Sequence, residues 1–217
     1  MAPVANGQDM IEHPLTDLDG FQAPADNWRI VGAIEADRHG VADIQTTDGD
    51  GILLNMPSDG VRENLFTMWE HGDIELSFEF MMPKGSNSGV YLQGRYEIQL
   101  FDSWGVPNPT YSDAGGIYQR WDPARNEGER GYQGHPPSMN VSRAPGLWQD
   151  FYILFQAPRF DAEGRKVSNA KMVKVAQNGV VIHENVELTG PTRAAGFSDE
   201  QALAPIMIQG DHGPVAL

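Results

Sequence analysis

The chain has 217 residues, a formal net charge of −15 and no cysteine. The surplus of acids opposes nucleic-acid or anionic-membrane binding, because phosphate recognition needs clustered Lys and Arg; a neutral or cationic partner fits better. The missing thiols exclude disulfides, zinc–thiolate sites and a Cys nucleophile, and the length suits one substantial core.

The N-terminal MAPVANGQDM has neither a basic n-region nor an apolar h-region. No apolar run approaches the roughly 20 residues of a membrane span. The expectation is a periplasmic or exported protein whose signal has been removed, with a cytoplasmic one as the alternative. Residues 1–14 read as an extension and 15–217 as one domain.

Period-two alternation dominates the domain. In DIELSFEFMM, Ile74, Leu76, Phe78 and Phe80 alternate with Asp73, Glu75, Ser77 and Glu79, as a strand with one buried face requires. The same reading gives strands over 89–101 (GVYLQGRYEIQLF), 115–120, 150–157 and 204–209. KMVKVAQ and VVIHENV flank Asn178-Gly179, a hairpin signal because type I′ turns need positive φ at both central residues. No long segment carries a 3.6-residue apolar period, so little helix is expected. Between Asp102 and Trp148, Gly and Pro punctuate a long loop region in which Trp104, Tyr111, Trp121 and Tyr132 argue for order. Many short strands with Gly/Pro-rich turns read as an all-β, antiparallel β-sandwich of jelly-roll type.

Three constellations could carry chemistry. Glu97, Gln99 and Asp102 are spaced like a glycosidase strand, but on a regular strand Asp102 points away from Glu97 and its Cα lies roughly 15 Å off. Two-carboxylate hydrolysis wants carboxyls about 5–9.5 Å apart, so a solvated strand face is the commoner explanation of such acids. Read straight through the strand, Tyr91, Gln93, Arg95, Glu97 and Gln99 form a polar row on one face, a mixed donor and acceptor set of the kind that fixes sugar hydroxyls; an exposed Arg–Glu pair is the plainer alternative. The third is QGDHGP, where Gln209 ends a strand and Asp211 could orient His212, a general base or metal ligand. An exposed loop His is more often neither. HExxH, GxSxG and P-loop patterns are absent.

Several motifs in order resemble the bacterial 3-keto-disaccharide hydrolase domain family, a concanavalin A-like β-sandwich: W-x-I-V-G-A from Trp28, G-D-I-E-L from Gly72, N-S-G-V from Asn87, R-Y-E-I-Q-L-x-D from Arg95, G-G-I-Y from Gly115, Q-A-P-R-F from Gln156 and I-Q-G-D-H-G-P-V from Ile208. The similarity runs from about residue 15 to the end. Trp148-Gln149 replaces the usual Trp-Asn, and members usually continue past P-V into a further strand with an Arg-Asn pair, so a last strand truncated or absent is expected.

The resemblance implies a carbohydrate-active enzyme cleaving glycosides already oxidised at C3 by a separate dehydrogenase. A C3 ketone acidifies the C2 proton, so one base and one electrophile suffice for elimination, with water added later. On that basis Glu97 or His212 is the expected base, and Arg95 or a divalent ion the expected electrophile at the ketone. Tyr91, Gln93, Gln99 and Gln209 would hold hydroxyls, Asp211 would orient His212, and Trp104 and Tyr118 would contact sugar. Glu97, Asp102 and His212 are the candidate metal ligands, with closing the loop the alternative for Asp102. A carbohydrate-binding module without turnover and an ordinary glycosidase are the alternatives.

Overall fold

The structure, a computed structural model, describes residues 11–40 and 44–217; residues 1–10 of the expected extension lie outside the described residues. In chain order the strands are β1 (Phe21–Gln22), β2 (Trp28–Ala36), β3 (Ile44–Asn55), β4 (Leu65–His71), β5 (Ile74–Phe80), β6 (Asn87–Leu92), β7 (Tyr96–Phe101) and β8 (Arg120–Trp121). They continue with β9 (Gly131–Tyr132), β10 (Gln149–Gln156), β11 (Arg159–Phe160), β12 (Lys166–Ser168), β13 (Ala170–Gln177), β14 (Val180–Leu188), β15 (Ala204–Ile208) and β16 (Val215–Ala216). The described residues contain no helix.

A five-stranded sheet, β1-β4-β15-β6-β7, faces a four-stranded one, β14-β13-β10-β5. Every pairing is antiparallel. Alternation builds the core as expected: along β10, Phe151, Ile153 and Phe155 are buried while Tyr152 and Leu154 are less so. They meet Val90, Leu92, Tyr96, Ile98 and Leu100 from the opposite sheet, with Tyr96 and Phe155 rings 5.5 Å apart. Burying side chains of this size stabilises by about 1.5–3 kcal/mol each. The three-stranded sheet β16-β3-β2 adds a smaller cluster around Val31, Leu54 and Met81. Its β16 joins the end of β5 through a bridge between Met81 and Ala216. The β13–β14 hairpin turns at Asn178 and Gly179 with φ of 50° and 77°, as the Asn-Gly pair predicts.

The single strand expected over 89–101 is instead two. The chain reverses at Gln93 (φ 53°) and Gly94 (φ 63°), so the segment is the β6–β7 hairpin, with Leu92 opposite Tyr96, Tyr91 opposite Glu97 and Gly89 opposite Gln99. Two successive residues at positive φ fold the segment back, and a glycine supplies one of them without steric cost. Residues 115–118 then extend the sheet beside β7: Gln99 N donates to Gly116 O, and Tyr118 N to Glu97 O.

Candidate active site

The reversal at Gln93 splits the expected polar row. Tyr91, Glu97 and Gln99 stay together on the sheet face away from the core. Met207, opposite Tyr91 in the β15–β6 ladder, and Gln209 share that face by parity. Asn87 joins it, accepting from Gln99 Nε2 at 2.9 Å. Loops cover this face: Tyr91, Glu97, Gln99 and Gln209 are no more than 5% exposed. The solvated-face explanation of Glu97 therefore fails. Gly89 lets the carboxyl lie down on the sheet, since a Cβ there would collide with Glu97 Oε1.

The buried face is incompletely satisfied. Gln99 Oε1 and Gln209 Oε1 have no hydrogen-bond partner, and Tyr91 Oη has none beyond the neighbouring Glu97 carboxyl. Buried polar atoms without partners each cost about 1–3 kcal/mol, so the unmet acceptors on the face that holds Glu97 call for an explanation. Burial pushes the Glu97 carboxyl up to about 8; the neighbouring Tyr91 hydroxyl works against the rise and the Asp211 charge adds to it. Tyr91 is raised well above the ordinary phenol range by burial and then by Glu97, so it remains a donor at neutral pH. Tyr118 is raised by burial and by Glu97, against the lowering effect of Arg193.

Asp211 and His212 sit on the turn after β15, His212 Nδ1 2.5 Å from Asp211 Oδ1. That turn is fixed from below: Asn55 Nδ2 donates to Gly210 O (3.2 Å) and Gly213 O (2.9 Å), and Gly210 N donates to Asn64 Oδ1. The Asp211 charge reaches both Glu97 and Tyr91, so two motifs more than a hundred residues apart in sequence act in one electrostatic cluster.

Gln93 and Arg95 are engaged in structural contacts away from Glu97, and Asp102 takes the loop-closing role that was one of its two expected ones. Gln93 donates its backbone N–H to His71 Nε2 (2.9 Å) and its amide to His71 O and Ala202 O. Arg95, buried, donates Nη1 to Gln93 O (2.7 Å), Nη2 to Asp199 Oδ1 (2.9 Å) and Nε to Asp199 O, with its guanidinium 4.7 Å over the Phe197 ring. Both lie in the reversal rather than on a strand, which is why neither joins Glu97. Arg95 instead straps the 189–203 loop to the sheet, aided by Thr192 N to Arg95 O and Gly196 N to Gly94 O. Asp102 accepts from Gly85 N (2.9 Å) and Trp104 N (3.3 Å), closing the loop after β7.

The expected ligand set Glu97, Asp102 and His212 does not assemble, and among the described residues no group of three or more His, Cys, Asp or Glu could hold a metal ion. The donors present do not fit a divalent-ion site. Trp104 is 51% exposed on its loop. Tyr118 packs edge-on against Tyr111, ring centroids 5.5 Å apart.

Sequence reasoning missed Asn87 and Gly89, whose signal was the N-S-G-V motif itself. It also missed Thr192, whose Oγ1 accepts the Glu97 N–H at 3.3 Å, and Arg193, stacked 4.0 Å over Trp121. Nothing in the local sequence singles out either one.

The fold defines the class: a two-sheet antiparallel β-sandwich, here with one buried carboxyl on the outer face of its five-stranded sheet. Residues 15–217 match the model of the 3-keto-α-glucoside-1,2-lyase-like domain, and the chain belongs to that family. Three presumed glycosyl hydrolases of Parabacteroides distasonis have similar structures. The first is 24% identical (TM-score 0.61, 99% of this chain and 91% of that chain). The second is 17% identical (TM-score 0.57, 94% and 93%) and the third 12% (TM-score 0.51, 88% and 85%). These likenesses establish the fold. No curated protein shows significant sequence similarity to the chain. Among the described residues no helix is long and apolar enough to cross a membrane.

Proposed function

We propose that the protein cleaves 3-keto-glycosides by elimination, with Glu97 as the base. The observation that carries the reading is the single buried carboxyl of Glu97 on one sheet face with the Tyr91 hydroxyl and the partnerless Gln99 Oε1 and Gln209 Oε1. In the proposed reaction Glu97 takes the C2 proton and the electron pair moves toward the C3 carbonyl oxygen. The enolate then re-forms the ketone while a C1–C2 double bond forms and the C1–O bond breaks. The departing alkoxide takes a proton and leaves as the alcohol; later addition of water to the enone completes a net hydrolysis. A carboxyl raised to about 8 is a stronger base once ionised than an ordinary carboxylate. Tyr91, held protonated beside it, is the donor placed to stabilise the enolate oxygen, the part first expected of Arg95. Gln99 and Gln209 offer acceptors for ring hydroxyls, and the Asp211–His212 pair is the proton source for the leaving oxygen.

The test compares a 3-keto-α-glucoside with its unoxidised parent, with and without chelator, for wild type and Glu97→Gln. Turnover of the keto substrate alone, lost in the variant, supports the reading. Equal rates on both glucosides would restore an ordinary glycosidase, and binding without turnover would leave a carbohydrate-binding module.

A further inference from the structure

Glu97 takes a proton from C2 on every turnover of the proposed reaction, and a residue only 2% exposed cannot hand it directly to bulk water. When the enone departs, the proton stays behind. Tyr91, opposite Glu97 in the β6–β7 ladder, offers no way out, being wholly buried itself.

Tyr118 lies on the other flank of Glu97. A bridge between Ile98 and Ile117 sets residues 117–118 antiparallel to β7, and Tyr118 N donates to Glu97 O at 3.2 Å. Ile98 and Ile117 both face the core, so by alternation Glu97 and Tyr118 share the opposite face. As a cross-strand pair their Cβ atoms lie about 5 Å apart, and Tyr91, Glu97 and Tyr118 form one row across three strands. Unlike Tyr91, Tyr118 is only half-buried. It also lines a cavity of about 160 Å³, open on one side, that Glu97 does not line. At about 30 Å³ each, a few waters fit such a space.

The ring is held in place. Tyr111 meets it edge-on with centroids 5.5 Å apart, and Tyr111 is itself seated over Gly134, where a Cβ would collide with its ring. Arg193 N donates to Gln119 O at 2.8 Å, next to Tyr118 in the chain, and the Arg193 guanidinium rests over Trp121. That cation eases loss of the Tyr118 proton, while the Glu97 charge opposes it.

We infer that Tyr118 is a proton relay between the Glu97 carboxyl and bulk water at this cavity. The relay rests on the proposed reaction. The phenol oxygen accepts the proton that Glu97 took from C2, directly or through one water, while its own proton passes to water in the cavity. Glu97 is left ionised and Tyr118 ends as the neutral phenol it began. The proton released matches the one that the Asp211–His212 pair draws back after supplying the leaving oxygen. Because the relay acts after the C1–O bond breaks, it bears on kcat more than on kcat/KM.

Tyr118→Phe removes the hydroxyl and keeps the ring against Tyr111. On a 3-keto-α-glucoside it should lower kcat about tenfold or more and kcat/KM by clearly less. Imidazole added to the assay, as a small proton carrier, should raise kcat of the variant about threefold or more and barely move the wild type. A tyrosine that only packs or holds sugar shows neither the split nor the rescue. Arg193→Met, at an exposed residue, should lower kcat in the same sense by about two- to fivefold, which keeps the test decisive where Tyr118→Phe fails to fold. Equal loss of kcat and kcat/KM, no loss in kcat, or no response to imidazole overturns the relay. So does rescue of His212→Gln without rescue of Tyr118→Phe, which would put the exit at the turn after β15. Wild-type turnover and its loss in Glu97→Gln report on the reaction separately: turnover that needs Glu97, with no split in Tyr118→Phe, sinks the relay alone, and no wild-type turnover sinks both.

Discussion

Tyr91 and Glu97 stand directly opposite one another in the β6–β7 ladder, both on the face away from the core and both almost wholly buried. A cross-strand pair brings side chains within about 5 Å at the Cβ atoms, so the two strands of a tight hairpin hold a phenol and a carboxyl together with little freedom. The β-sheet, not a loop, sets the geometry of the candidate base and its neighbouring donor.

Glu97→Gln should reduce kcat on a 3-keto-α-glucoside by roughly 10²–10⁴-fold, the usual weight of a positioned general base. The same variant has an opposite expected effect on stability. Because the folded carboxyl is raised to about 8, the folded state binds more protons than the unfolded one between about pH 4.5 and 8, so wild-type stability falls as pH rises through that window. The slope approaches about 1.4 kcal/mol per pH unit. Denaturant melts across that window should show the slope in wild type and its loss in Glu97→Gln.

The same group sets the rate profile. A base must be ionised to act, so kcat/KM should climb with pH and level off above about 8. A profile already flat across pH 6–9 would count against Glu97 as the base.

Gly89→Ala tests the close approach of the carboxyl to the sheet. The added Cβ meets Glu97 Oε1, Cγ and Cδ first, so the carboxyl should be displaced. Activity should drop by more than tenfold in a protein that still folds, as circular dichroism and thermal melting would show.

Arg95 is expected to behave as a strap. Removing its guanidinium in Arg95→Met strips partners from Gln93 O, Asp199 O and Asp199 Oδ1, and should cost about 2–4 kcal/mol while exposing the 189–203 loop to proteolysis. Asp199→Asn removes only the exposed partner of the ion pair and should cost no more than about 1 kcal/mol. Urea melts and limited proteolysis of the two variants give the comparison.

His71 and His183 predict a second, opposite pH effect. Burial pushes both below the ordinary imidazole range, and His71 Nε2 must stay unprotonated to accept the Gln93 N–H. The unfolded state therefore binds more protons below about pH 6.5, and stability falls as pH drops from there. Melts in the Glu97→Gln background isolate this effect, and His71→Gln should weaken it.

The sandwich was legible because burial on one face writes a period of two into the sequence, as in Ile74, Leu76, Phe78 and Phe80 or Phe151, Ile153 and Phe155. The β6–β7 reversal was not, for a related reason. Val90, Leu92, Tyr96, Ile98 and Leu100 keep even spacing straight through the turn, so the apolar pattern shows no break and only Gly94 marks one. That hidden turn misassigned Gln93 and Arg95 while leaving Tyr91, Glu97 and Gln99 correctly together. The Asp211 link to Glu97 is a tertiary fact, created when β15 pairs with β6, and the burial of Glu97 has no local signature. Arg95 and Thr192 hold the 189–203 loop against this hairpin through tertiary contacts that no local pattern announces.

The most direct test of Glu97-driven elimination is the isotope effect on cleavage of a 3-keto-α-glucoside deuterated at C2, measured at a pH near 8. Elimination predicts a primary effect on kcat/KM in wild type and deuterium washout from C2 that disappears in Glu97→Gln. Cleavage at the same rate for protium and deuterium, with the label retained at C2 in the product, would contradict it.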